Sequence, residues 1–129
     1  MKIGDIYTYT TTVNEQNVAA ALGSGALPVF GTPFLVAAME SAAFKGMQKE
    51  LDESKSTVGT KVCISHSSPT PIGMKVRAEA EIIAISENGK MVDFAVRAFD
   101  EVGLIGEGTH QRAIITVERF MAKCEGKRK

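Results

Sequence analysis

Gly31-Thr32-Pro33-Phe34-Leu35-Val36-Ala37-Ala38-Met39-Glu40-Ser41-Ala42-Ala43-Phe44-Lys45-Gly46-Met47-Gln48 opens on a hydroxyl residue and a proline and continues in helix formers. Threonine at a cap followed by proline at the first helical position marks a start. The sequence therefore predicts a helix from Thr32 to about Leu51. Ahead of it, residues 23–28 read as flexible chain, residues 14–22 as an ambiguous stretch compatible with a short helix, and residues 5–13, rich in threonine, tyrosine and isoleucine, as a strand. Beyond it, strand-like segments cover residues 56–66, 74–85, 91–100 and 104–117. A proline-rich loop, the hairpin signal Asn88-Gly89 and the turn Glu101-Val102-Gly103 separate them.

A strand, one long helix and four meandering strands lack the alternation of strand and helix that a parallel sheet requires, so the class is α+β. One helix among so many strands buries itself best if the antiparallel sheet curls around it, the hotdog arrangement. With 129 residues the chain is read as a single domain over residues 1–129, a size that buries roughly two-thirds of its unfolded surface. Residues 120–129, with Lys123, Lys127, Arg128 and Lys129, read as a solvated basic tail.

Fifteen basic and fifteen acidic residues cancel, and no basic stripe interleaved with aromatics is visible, so a nucleic-acid partner is not expected. Cys63 and Cys124 have no metal or CxxC spacing and are too few for a disulfide framework. No apolar signal core opens the chain, and the run from Pro33 to Met39 is too short to cross a bilayer. A cytoplasmic protein with free thiols, without a membrane partner, is the expectation.

Three side chains stand out. Placed at 100° per residue, Ser41, Lys45, Gln48, Lys49 and Asp52 form the polar side of the helix, while Glu40 is surrounded by Val36, Ala43, Phe44 and Met47. A carboxylate in an apolar stripe needs a partner, a proton or a polar cleft; a structural ion pair and a catalytic acid both satisfy that. Thr32 lies on the same stripe, about 12 Å up the helix axis, where it is either a cap or a donor to an anionic oxygen at the positive helix end. His66 closes the second strand, sharing a face with Val58, Thr60, Val62 and Ile64 by period two; it is either a surface or structural strand-end residue or a base directed toward the buried carboxylate. His110 and Arg112 are read as a solvated edge and excluded from the catalytic set. Walker, GxGxxG, GxSxG and HExxH patterns are all missing.

From about Asp5 to Phe120 the chain resembles the hotdog thioesterases of the fluoroacetyl-CoA thioesterase type. The resemblance rests on Gly31-Thr32-Pro33-Phe34, on Val36-Ala37-Ala38-Met39-Glu40, and on Val62-Cys63-Ile64-Ser65-His66 followed by Ser68-Pro69-Thr70-Pro71-Ile72-Gly73. It implies an acyl-CoA substrate, a Thr32/Glu40/His66 catalytic set, a homodimer or dimer of dimers, and no metal or organic cofactor. Residues 23–27 carry no aromatic ring, so a bulky aromatic lid is not expected. Two rivals share the fold: an enoyl-CoA hydratase, and a non-catalytic acyl-CoA binding or sensing domain.

Overall fold

Met91–Phe99 alternates buried and half-buried residues without a break, as a strand does when one face lies on a core. It is the middle strand of the sheet in a computed structural model that describes residues 1–128, Lys129 lying outside the described residues. In chain order the elements are β1 (Ile6–Thr12), α1 (Ala19–Leu22), α2 (Thr32–Gln48), β2 (Lys55–His66), β3 (Lys75–Ile85), β4 (Met91–Phe99), β5 (Leu104–Thr116) and α3 (Val117–Glu125). The five strands pair antiparallel in the order β1-β3-β4-β5-β2.

Five strands about 4.8 Å apart span roughly 19 Å, and a helix with its side chains is about 10–12 Å across. Yet α2 touches both edge strands, β1 and β2, as well as β3 and β4. The sheet therefore curls around α2, and the fold is the hotdog. Leu35, Ala38, Met39, Ala42, Ala43 and Met47 of α2 are buried against Val76, Ala78, Ala80 and Ile82 of β3 and Val92, Phe94, Val96 and Ala98 of β4. Each large apolar side chain in this layer stabilises by about 1.5–3 kcal/mol. Small residues let the helix sit low: a Cβ on Gly46 would lie 2.1 Å from Cγ of Tyr7 on β1.

α2 stops at Gln48, three residues before the predicted end. There the Gln48 amide donates to the Lys55 carbonyl (2.9 Å) and accepts from the Ser56 hydroxyl (2.8 Å), turning the chain into β2. α2 and β2 thus run antiparallel, with the helix start at the His66 end of the strand. The pairing of β2 with β5 shifts register between Gly59 and Lys61, a bulge that exchanges the two faces. Before it, Thr57 and Gly59 turn to α2; after it, Ile64 and His66 do. The single-face reading from Val58 to His66 therefore holds only beyond the bulge.

Residues 120–125, within the stretch read from sequence as a solvated tail, belong to α3, none of whose residues is buried. Among the described residues no helix is long and apolar enough to cross a membrane. Both cysteines are exposed and unpaired.

Candidate active site

The start of α2 is arranged differently from the sequence reading. Gly31, not Thr32, is the N-cap: its carbonyl accepts from the N–H groups of Phe34 and Leu35 at 2.9 and 3.0 Å, and no side chain caps the helix. Thr32 is the first helical residue, with Pro33 behind it. Its hydroxyl is therefore released from capping, and Oγ1 lies 2.7 Å from Nδ1 of His66. The N–H of Thr32, in the first turn, has no intrahelical acceptor.

His66 is held at the end of β2 opposite Gly106, where the N–H groups of Ser67 and Ser68 both donate to the Ile105 carbonyl at 2.8 and 3.3 Å. Burial pushes the imidazole below its ordinary pKa, and the positive end of α2 favours the same neutral form. The Ser68 main chain opposes this; Nε2 is a buried atom with no hydrogen-bond partner among the described residues. A neutral imidazole whose Nδ1 faces a hydroxyl is a base in hydrogen-bond reach of a nucleophile or water. The pair opens into a cleft of about 310 Å³ bordered by Ala19, Val29, Phe30 and Pro69. Among the described residues Phe30 is the one phenyl ring lining it, and it lies outside residues 23–27.

Glu40 lies on the border of the buried stripe, not in its middle, with 39% of its side chain exposed. Its partner is Arg112, Nη1 to Oε2 at 3.3 Å. The guanidinium also donates from Nε to the Thr57 hydroxyl (2.9 Å), from Nη2 to the Thr57 carbonyl (3.1 Å) and from Nη1 to Nε2 of His110 (3.2 Å). Nδ1 of His110 lies 2.8 Å from the Lys61 carbonyl, which only accepts, so Nδ1 carries the proton and Nε2 is the acceptor for Arg112. Phe94 stacks on the ring at 6.2 Å. Burial lowers the pKa of both His110 and Arg112, with the Glu40 charge opposing it in each. A Cβ on Gly59 would lie 2.6 Å from Oε2 of Glu40, so no side chain fits between β2 and the carboxylate.

Reading His110 and Arg112 as a solvated edge is therefore wrong: they are 2% and 5% exposed. The signal was present in the sequence, since both share strand parity with Ile114 and a carboxylate on an apolar stripe needs a cation. The structure brings Thr32 and His66 together but leaves Glu40 apart. Among the described residues no hydrogen bond joins Glu40 to either, and no group of three or more His, Cys, Asp or Glu side chains is placed to hold a metal.

The family model described as fluoroacetyl-CoA-specific thioesterase matches residues 13–118. The chain is 38% identical over 99 residues to the fluoroacetyl-CoA thioesterase of Streptantibioticus cattleyicolor, covering 77% of this chain and 70% of that protein. It superposes on the solved structure of the fluoroacetyl-CoA thioesterase FlK with a TM-score of 0.91 at 32% identity, over 100% of this chain and 98% of that one. A mutant of that enzyme in complex with fluoroacetate and CoA gives a TM-score of 0.86 at 32% identity, over 93% and 99% of the two chains.

Proposed function

This chain belongs to the fluoroacetyl-CoA-specific thioesterase family, and on that premise we propose that Thr32, His66 and Glu40 are the residues with which it hydrolyses a coenzyme A thioester to free acid and coenzyme A. The observation that carries the assignment is the 2.7 Å contact between the Thr32 hydroxyl and Nδ1 of His66. His66 takes a proton from Thr32, whose Oγ attacks the thioester carbonyl. The C–S bond then breaks, the thiolate takes the proton from the imidazolium, and water, activated by the same imidazole, cleaves the acyl ester. In the one-step variant Thr32 polarises the carbonyl and His66 activates water directly. The Thr32 N–H, left without an intrahelical acceptor while those of Phe34 and Leu35 bond the Gly31 carbonyl, is the donor at the start of α2 for the developing oxyanion, a contribution worth a few kcal/mol at such sites.

The protein works as a homodimer, alone or paired again into a dimer of dimers, in the cytoplasm, where its exposed thiols stay reduced. β2 is an open sheet edge on which Lys61, Val62 and Cys63 are exposed, and such edges pair. A two-fold axis sets two β2 strands antiparallel and interchanges their ends. The Glu40–Gly59 region of one protomer then moves toward the Thr32–His66 pair of the other, which is how the carboxylate joins the site.

Thiol release across coenzyme A thioesters from acetyl to long-chain and aryl tests this reading. The account expects free thiol from at least one; an enoyl-CoA hydratase hydrates without releasing thiol, and a sensing domain binds without turnover. If Thr32 is the nucleophile, Thr32→Ser retains turnover, Thr32→Asn loses it, and rapid mixing shows a burst of thiol.

A further inference from the structure

At the far end of β2 from His66, Lys55, Lys90, Arg119 and Lys123 surround a groove of about 310 Å³ floored by Ile114, Ile115 and Phe120. It is lined by four cations and no carboxylate, in a chain with zero net charge. Among the described residues none of the four is in a salt bridge; Asp52 is near enough to Lys55 to feel its charge, without pairing. The frame is fixed: the Val117 N–H donates to the Ser54 carbonyl (2.9 Å) and the Ile114 N–H to the Lys90 carbonyl (2.7 Å). Phe120, on the amphipathic helix α3, is 39% exposed. Unpaired cations around an aromatic and aliphatic floor fit a phosphorylated nucleotide, whose base stacks while its phosphates meet lysine and arginine. A second copy of the chain fits poorly, because a two-fold contact through this groove sets the cations against themselves.

Position says which thioester such a nucleotide belongs to. From Lys55 to His66 β2 rises about 36 Å, whereas the thirteen or so bonds from the thiol of coenzyme A to its first phosphorus reach at most roughly 20 Å at about 1.5 Å per bond. The groove is out of range of its own protomer's Thr32–His66 pair. Antiparallel pairing of β2 edges interchanges the ends and brings it toward the partner's pair. We propose that the groove of one protomer anchors the phosphorylated nucleotide end of the acyl-CoA that is hydrolysed at the partner's His66. The inference rests on the thioesterase reading and on the dimer, and adds where the substrate's phosphates are held.

The test uses Arg119→Glu/Lys123→Glu, two changes on an exposed helix. The expected result is a KM for the best coenzyme A thioester raised at least about tenfold with kcat little changed, the mark of lost ground-state binding. The matching acyl-pantetheine, which has no nucleotide, is turned over unchanged, and inhibition by adenosine 3′,5′-bisphosphate is lost. A heterodimer of one His66→Ala chain and one groove-variant chain, isolated with two tags, keeps one intact composite site. It should show about half the wild-type kcat at the wild-type KM. A heterodimer with the raised KM overturns anchoring across the dimer, and an unchanged KM in the groove variant overturns the groove. Wild-type protein that releases no thiol from any thioester overturns the thioesterase reading itself, and this inference with it.

Discussion

The Thr32 hydroxyl, 2.7 Å from Nδ1 of His66, spans two elements: the first residue of α2 and the last of β2. Gly31 takes over the cap, so the hydroxyl is left to the histidine, and burial keeps that histidine neutral.

The first consequence concerns pH. His66 titrates below the ordinary histidine value of about 6.5, so the base is in its working form throughout the neutral range. The acid limb of kcat/KM should fall with a midpoint below 6.5. Because the folded protein binds this proton less readily than the unfolded chain does, the same group lowers stability as pH falls from about 6.5 toward the folded pKa. An acid limb centred above 6.5 in the wild type, and unmoved in Thr32→Ser, would assign the limb to another group.

Glu40 and Arg112 separate chemistry from folding. Glu40→Gln keeps the shape of the side chain and should lower turnover at least about a hundredfold with little change in Tm, as loss of a charged catalytic partner does. Arg112→Met leaves the Thr57 and His110 acceptors without their donor and should cost about 3–5 kcal/mol in denaturant unfolding. A folded Arg112→Met protein of unchanged stability would contradict the described network.

Gly59→Ala places a methyl group 2.6 Å from Oε2 of Glu40, which must displace either the carboxylate or the strand. A displacement of about 1 Å at a reacting group is worth roughly a hundredfold in rate. Turnover should fall by that order while circular dichroism stays native. Wild-type turnover would show that the Glu40 carboxylate need not sit against β2.

Much of this was legible in the sequence, and the gaps have physical causes. Period-two patterning and the Asn88-Gly89 turn set the strands to within a few residues, because a half-buried sheet forces alternation. The bulge after Gly59 was invisible, since one extra residue leaves no compositional trace, and it misassigned the faces of Thr57 and Gly59. The cap was misread because Thr32 and Gly31 both suit that position. His110 and Arg112 were misplaced because polarity was taken for exposure, although their strand parity pointed inward. Thr32 and His66 stood out in the sequence one at a time, and only the closing of β2 onto the start of α2 puts them in contact.

The open β2 edge gives an assembly prediction. Sedimentation at micromolar concentration should show a dimer or a tetramer, and Val62→Pro, which places a proline on the pairing edge, should shift the protein toward monomer with loss of activity. A fully active monomer would remove Glu40 from the partner's site.

The most direct measurement of the central claim is thiol release by His66→Ala, Thr32→Ala and the double variant on the best thioester. Residues acting as one unit lose activity non-additively, so each single change should cost at least about a hundredfold and the double should resemble the worse single. Because Thr32 does not cap α2, Thr32→Ala should lose no more than about 1 kcal/mol of stability, the worth of one hydrogen bond. Folded His66→Ala protein with wild-type turnover would contradict the account.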